Sequence, residues 1–126
     1  MKRNPDILRE IMLVAEATPA GHKLRECDLK TSSKDPHEVA DHVQQLIEQG
    51  LLGGVVHFTH DPREAPVVVI DRITSRGHDF IQATRDDAIW RVVKEKVMRP
   101  LSSWTIQLAV EYAQKLAREK LGLDQP

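Results

Sequence analysis

The segment at residues 35–52, with the sequence DPHEVADHVQQLIEQGLL, decides how the rest of the chain is interpreted. Asp35 is a good N-cap, Pro36 suits the first helical position, and Glu38 is placed to reach back to the N–H of the cap. Gly50 follows where a helix commonly ends in the left-handed conformation. One face carries apolar residues at helical spacing: Val39, Val43, Leu46 and Ile47. The segment therefore predicts an amphipathic helix over residues 36–49.

Two runs rich in Val and Ile follow this helix, at residues 51–58 and 67–72. Such runs favour β-strands, and the polar loop between them contains two prolines. The pattern predicts a β-hairpin with a loop of medium length at its tip. Gly53 and Gly54 weaken the first strand near its start and indicate a bulge there.

The chain upstream of the central helix contains one clear helix and one weak segment. Asn4 is a suitable N-cap and Pro5 a suitable first residue for a helix over residues 5–17. The stretch at residues 22–34 has only Leu24, Cys27 and Leu29 as apolar anchors. This stretch is compatible with a short strand, a stunted helix or a loop.

Three more helices are predicted downstream, over residues 74–84, 86–98 and from Ser102 or Ser103 to about Leu121. Together the elements predict an α+β, mostly helical fold of the winged helix-turn-helix type. Its parts are a helix, a weak segment, a recognition-like helix, a β-hairpin wing and two to three additional C-terminal helices. The expectation is a single domain over residues 1–126, with residues 74–121 as a helical extension.

Composition narrows the class of protein. The chain has 126 residues, 40% hydrophobic and 29% charged, as in an ordinary globular domain. Its net charge of −1 supplies no global attraction to nucleic acid or to an anionic membrane. One cysteine, Cys27, excludes an internal disulfide. No apolar run is long enough to span a bilayer, so a cytoplasmic location without membrane contact is expected.

Charge is unevenly distributed along the sequence. Residues 1–62 contain 7 Lys+Arg and 10 Asp+Glu, a balance of −3, whereas residues 63–126 contain 11 and 9, a balance of +2. The acidic half contains the predicted recognition-like helix. Any nucleic acid would therefore be attracted first to the second half of the chain.

Two stretches carry a family resemblance. Residues 38–52, EVADHVQQLIEQGLL, resemble the recognition helix and first wing strand of winged-helix proteins. Residues 73–96, ITSRGHDFIQATRDDAIWRVVKEK, together with the Met-Lys-Arg start and the helix at residues 6–14, resemble a small bacterial and phage family, domain of unknown function 2513. The resemblance implies a winged-helix fold with extra C-terminal helices and no established biochemical activity. It implies no catalytic residue.

The exposed face of the central helix is the first candidate binding surface. Glutamine can bond an adenine edge, and a carboxylate can accept from cytosine, but this helix contains no Lys or Arg to contact phosphates. The face therefore fits either base contacts or contact with another protein. Its residues, and the cations around the wing that could contact phosphate, are His37, Glu38, Asp41, Gln44, Gln45, Arg63, Arg72 and Arg76.

Catalytic and metal chemistry find little support in the sequence. Six histidines are present, but no Cys pair or HExxH motif accompanies them, so no metal site is expected. Cys27 stands between Glu26 and Asp28, and acidic neighbours make a thiol less reactive as a nucleophile. No glycine-rich phosphate loop or nucleophile elbow occurs. We expect no enzyme activity and no cofactor.

The last helix is a candidate surface for homodimerisation. Its apolar stripe is wider than one buried face requires, and core packing alone is the alternative explanation. The residues proposed for a dimer contact are Trp104, Leu108, Tyr112 and Leu116.

These features support two hypotheses. The first is a non-enzymatic winged-helix protein of a bacterium or phage that binds double-stranded DNA weakly or as a dimer and modulates transcription. The alternative is a protein-interaction module of the same fold, whose acidic helix docks onto a host or phage protein without binding DNA.

Overall fold

A computed structural model describes residues 2–100 and 104–121 of the chain. Within these ranges the fold is α+β and mostly helical, as the sequence predicts, with five α-helices and an antiparallel sheet of three strands where the sequence predicts two. The chain divides into two compact units, Met1–His78 and Asp79–Pro126. None of the described helices is long and apolar enough to cross a membrane.

The elements follow one another in the order α1 Pro5–Ala17, β1 Leu24–Arg25, a 3-10 turn Glu26–Asp28, α2 Pro36–Glu48, β2 Leu52–His57, β3 Val67–Ile73, α3 Ser75–Thr84, α4 Asp87–Val93, a π-helical segment Lys94–Met98 and α5 Ile106–Leu121. The sheet has the strand order β1-β3-β2. Helix α3 crosses the boundary between the two units. The predicted start of the last helix at Ser102 or Ser103 is wrong, because the helix begins at Ile106 and Thr105 Oγ1 accepts the N–H of Leu108 at 3.0 Å; Ser102 and Ser103 themselves lie outside the described residues.

Helix α2 begins and ends for reasons visible in its sequence. Asp35 Oδ1 accepts the backbone N–H of His37 at 3.0 Å. The predicted return bond from Glu38 is wrong, because the N–H of Asp35 donates to Ser33 Oγ at 3.2 Å instead. At the other end Gly50 has φ +76°, and the N–H of Leu51 donates to the Leu46 carbonyl at 2.9 Å. This is a Schellman ending, which only a residue tolerant of positive φ accommodates readily.

The weak segment contains both a strand and a helical turn. Leu24 and Arg25 pair antiparallel with Ile70 and Val69 of β3, and the 3-10 turn follows at once. The Glu26 carboxylate then accepts the N–H of Val68 at 2.9 Å. The predicted two-stranded hairpin is therefore the larger part of a three-stranded sheet. A strand of two residues is too short to show the alternation of apolar and polar residues that identifies a strand in a sequence.

The predicted hairpin is present, and its irregularity lies where the two glycines occur. The register of β2 on β3 shifts between Gly53 and Gly54. Gly53 pairs with Arg72 and Gly54 with Ile70, so Asp71 of β3 has no partner in β2. The extra residue of the bulge thus belongs to β3, while the glycines of β2 leave room for it.

The core of the first unit forms where α1, α2 and α3 meet the sheet. Gly77 of α3 makes a close approach to this core, because a Cβ on it would lie 2.2 Å from the Leu51 carbonyl oxygen and 2.7 Å from Ile73 Cγ2. Helix α3 is also tied to the end of α2 by Thr74, whose Oγ1 donates to the Gly50 carbonyl at 2.5 Å. Fully buried side chains of this unit include Ile7, Leu8, Ile11, Met12, Val43, Leu46, Leu51 and Val68.

The second unit packs aromatic and aliphatic side chains from three helices. Phe80 and Trp90 meet edge to face with ring centroids 6.3 Å apart, and Lys94 Nζ lies 5.9 Å from the centre of the Trp90 ring. Asp86 caps α4 by accepting the N–H of Ala88 and Ile89. It also accepts from Lys120 Nζ at 2.5 Å, which joins the start of α4 to α5.

Candidate functional site

The outward residues of α2 are half-exposed and lie along one face of the helix. His37, Glu38, Asp41, Gln44 and Gln45 all belong to this row. The opposite face is buried, with Val39, Val43 and Leu46 in the core. The structure therefore places these five predicted site residues on one accessible surface.

Two hydrogen-bond chains order this surface. Gln45 Nε2 donates to Asp41 Oδ2 at 2.9 Å, and Gln45 Oε1 accepts from Arg3 Nε at 2.5 Å. Gln44 Nε2 donates to Glu48 Oε1 at 3.0 Å. The surface thus includes a cation, Arg3, that comes from the residues before α1. Sequence reasoning missed Arg3, since no local pattern links positions 42 residues apart.

A buried histidine holds Arg3 near α2. His42 is 0% exposed, and its Nε2 accepts the backbone N–H of Asn4 at 2.8 Å. Because an amide N–H only donates, the neutral ring carries its proton on Nδ1, 2.7 Å from the Glu38 carbonyl oxygen. This arrangement satisfies both ring nitrogens and fixes the first residues of the chain beside the middle of α2.

Two lysines lie at the N-terminal end of α2. Lys30 and Lys34 line a cleft of about 210 Å³, together with Pro36 of the first helical turn. Both are exposed, and neither side chain has a hydrogen-bond or ion-pair partner in the described part of the chain. The segment that carries them is anchored to α1, because the N–H and Oγ of Ser32 donate to Glu10 Oε2 at 2.9 and 3.1 Å.

The same cleft contains one acidic group. A hydrogen bond from the N–H of Val68, first among several causes, lowers the pKa of Glu26 below its ordinary value of 4.5. This carboxylate is therefore ionised at neutral pH, and it is already hydrogen-bonded to the backbone of β3. In the sequence, the signal for these lysines is their spacing of four residues directly before the cap of α2.

Two arginines lie near the C-terminal end of α2. Arg72 and Arg76 are exposed and stand on either side of Thr74, which bonds to Gly50. Neither guanidinium has a partner among the residues that the structure describes. The bulge at Asp71 turns Arg72 outward, over Gly53 of the neighbouring strand. Unpaired cations thus occur beyond both ends of α2.

The remaining predicted cation, Arg63, lies in the loop of the hairpin and is neutralised locally. Its Nε and Nη2 donate to the two carboxylate oxygens of Asp61, each at 3.1 Å. This bidentate pair lowers the pKa of Asp61. The charge of Arg63 is consequently less available to a ligand than those of the four cations that flank α2.

The residues proposed for dimerisation lie beside the buried face of α5, not on it. Ile106, Ala109 and Ala113 are buried, whereas Leu108 is 39% exposed. Tyr112 and Leu116 are half-buried, as is Trp104, which lies two residues before the helix. The apolar stripe is therefore wider than the buried face, as the sequence indicates.

Ligands for a metal do not converge in the described ranges 2–100 and 104–121. No group of three or more His, Cys, Asp or Glu side chains there is arranged to hold an ion. Cys27 is a free, exposed thiol.

Comparison with known proteins gives one match. The family model described as "Hypothetical protein (DUF2513)" matches residues 2–103, which include every element from α1 to the π-helical segment and leave α5 outside. No curated protein and no solved structure matches the chain. Because the match covers well over half of the 126 residues, the chain belongs to this DUF2513 family.

Proposed function

We propose that residues 1–78 form a non-enzymatic winged-helix module that binds double-stranded DNA and modulates transcription, with α2 directed toward the major groove. The observation that carries this proposal is the presence of unpaired cations beyond both ends of α2. These are Lys30 and Lys34 at one end and Arg72 and Arg76 at the other.

Dimensions support this assignment. Helix α2 has 13 residues and is therefore about 20 Å long at 1.5 Å per residue. The major groove of B-DNA is about 12 Å wide. A helix lying in the groove would place cations beyond its two ends close to the phosphates on either side. Such contacts supply affinity and register, while the residues along the helix supply base contacts.

The order of elements also supports a winged helix. A helix, a short strand, a second helix and a β-hairpin follow one another, and the strand closes the hairpin into one sheet. The 3-10 turn Glu26–Asp28 stands where a helix-turn-helix has its first helix. In this proposal α2 is the recognition helix and the hairpin is the wing.

The acidic residues of α2 oppose DNA binding less than the sequence suggests. Asp41 is linked through Gln45 to Arg3, which brings a positive charge to the same surface. Glu48 accepts from Gln44. In the proposed complex, Gln44 and Gln45 face the base edges, with the Gln45 amide already oriented by its two partners.

A salt series tests the proposal. Binding of a labelled random duplex should weaken steeply between low and moderate salt, because phosphate contacts release counterions. The double variant Lys30→Glu/Lys34→Glu should bind more weakly and lower the slope of log K against log salt by about 2, roughly one per lost contact. The matched control, Lys96→Glu/Lys115→Glu, changes the net charge equally in the second unit and should bind as the wild type does.

Two results would contradict the proposal. The first is the absence of retardation at low salt. The second is equal weakening by the two double variants, since binding would then depend on net charge and not on the ends of α2.

The second candidate function is docking of another protein. It is favoured by the acidic outward face of α2, whose side chains hydrogen-bond to one another. The amides of Gln44 and Gln45 already donate within the helix, and Asp41 and Glu48 would attract a basic partner. Absence of DNA binding, together with a co-purifying protein whose capture is abolished by Asp41→Lys/Glu48→Lys, would favour this function.

A further inference from the structure

The outer face of the sheet exposes an apolar patch. Val55 of β2 is 64% exposed, and Val67 of β3 is 39% exposed. Val55 pairs with Val69, which is half-exposed on the same face. Contiguous exposed apolar residues of this kind commonly mark a surface that another protein covers.

The edge of the sheet beside this patch is open. β2 is the terminal strand in the order β1-β3-β2, and in the described chain no hydrogen bond reaches the outer side of Leu52–His57. Natural edges are usually protected by charged residues or proline, but β2 reads LGGVVH and contains neither. The opposite side of β3 is covered by β1 and then by the Glu26 carboxylate on the N–H of Val68.

We propose that β2 pairs with β2 of a second copy of the chain, antiparallel and about a two-fold axis at Val55, so that two three-stranded sheets become one of six strands. Main-chain N–H and C=O groups along an open edge are complementary to another extended strand. An antiparallel strand pairing with its own copy satisfies them symmetrically, as an isologous contact requires.

In this register the exposed valines of the two copies form one continuous row across the joined sheet. Across the six strands, the row through the axis reads Arg25, Val69, Val55, then Val55, Val69 and Arg25 of the second copy. Four valines become neighbours on one face, and the arginines end the row on both sides. Cross-strand β-branched pairs of this kind are favourable in antiparallel sheets.

The flanking residues distinguish a second copy from an unrelated strand. With Val55 on the axis, His57 of one copy lies opposite Gly53 of the other. Gly53 has no side chain, and Arg72 and Asp71 lie directly over it, with Arg72 Cγ 2.8 Å and Asp71 Oδ1 3.0 Å from where a Cβ would be. The imidazole of the second copy therefore lies beside the Asp71 carboxylate and the aliphatic part of Arg72, and no Lys, Arg, Asp or Glu of one β2 strand faces the other β2 strand.

The oligomeric state of the full chain tests the proposal against the rival surface on α5. Light scattering over a concentration series should show a dimer for the wild type. Val55→Lys, which places a charge on an exposed position of the edge strand, should give monomers with an unchanged circular dichroism spectrum. Leu108→Arg, the matched substitution on α5, should leave the dimer intact. A monomeric wild type, or dissociation by Leu108→Arg with Val55→Lys still dimeric, would overturn the proposal.

Cross-linking tests the register independently of how Val55→Lys folds. In a Cys27→Ser background, Val55→Cys places two thiols on the axis, within the 4.4–6.8 Å Cα separation that a disulfide needs. Mild oxidation should give a disulfide-linked dimer. Val67→Cys, also exposed but one strand further in, should stay monomeric on denaturing gels. Equal cross-linking of both variants, or none at residue 55, would contradict pairing about Val55.

Discussion

Nε2 of His42 accepts the backbone N–H of Asn4 at 2.8 Å, so a buried side chain of α2 holds the cap of α1. The bond ties together two residues 38 positions apart and brings Arg3 onto the α2 surface. Asn4 itself is exposed, and a hydrogen bond of this partly buried kind contributes about 0.5–1.5 kcal/mol.

The variant His42→Leu should therefore lower the free energy of unfolding by about 0.5–1.5 kcal/mol, because leucine fills similar space but cannot accept a hydrogen bond. Urea unfolding followed by circular dichroism measures this change. His37→Leu, on the half-exposed row of the same helix, is the control and should be close to neutral. Equal stability of the two variants would show that the Asn4 bond contributes nothing.

Gly77→Ala should destabilise the protein even though alanine normally stabilises a helix. A Cβ here would lie 2.2 Å from the Leu51 carbonyl oxygen and 3.0 Å from Met12 Cε, so the backbone at Gly77 and Leu51 would have to move apart. Overpacking of this kind typically costs about 1–3 kcal/mol. Thermal unfolding provides the measurement, with Ser75→Ala, on the exposed first turn of α3, as the control. A rise in the melting temperature of Gly77→Ala would contradict the close approach.

Gly50→Ala tests backbone conformation without steric crowding. No atom lies within 4 Å of the position that its Cβ would take, but φ is +76°. An L-residue in this left-handed region costs roughly 1–2 kcal/mol. Chemical denaturation should show a loss in that range, and Gly50→Asn, which tolerates the conformation better, should lose less. If alanine and asparagine behaved alike, the Schellman ending would not determine the stability at this position.

Acid should weaken the link between Glu26 and the sheet. The folded-state pKa of Glu26 is lowered, chiefly by the N–H of Val68, so its stabilisation is complete above the unfolded value near 4.5 and is lost as the pH falls through the lower folded value. The free energy of unfolding should therefore fall with acidification below about pH 4.5 by more in the wild type than in Glu26→Gln. If the free energy of unfolding depended on pH in the same way in both proteins, Glu26 would not stabilise the sheet through its charge.

Much of the fold follows from local patterns in the sequence. The caps Asn4 and Asp35, the apolar periodicity of α1 and α2, and Gly50 predict two helices nearly to the residue. The valine-rich runs predict β2 and β3. Sequence patterns did not reveal β1, because two residues show no alternation and their pairing depends on Val69 and Ile70, far along the chain.

The candidate site was predictable only in part. Periodicity identifies which residues of α2 face outward, but it gives no information on the partners of those residues. Arg3 reaches Gln45 because His42 anchors the chain before α1, a tertiary effect with no local signature. Arg63 looks like a free cation in the sequence, yet the turn brings Asp61 back to it.

The bulge at Asp71 gives β3 a spare residue. Since the ladder passes from Ile70 to Arg72 without using Asp71, deleting Asp71 would restore an unbroken register and leave Arg72 and Ile73 on their present sides. Deleting a residue between Val67 and Ile70 would instead exchange the two faces of the strand's start, because side chains alternate with a period of two. Length can therefore vary at this point of the strand at little cost to the pattern around it.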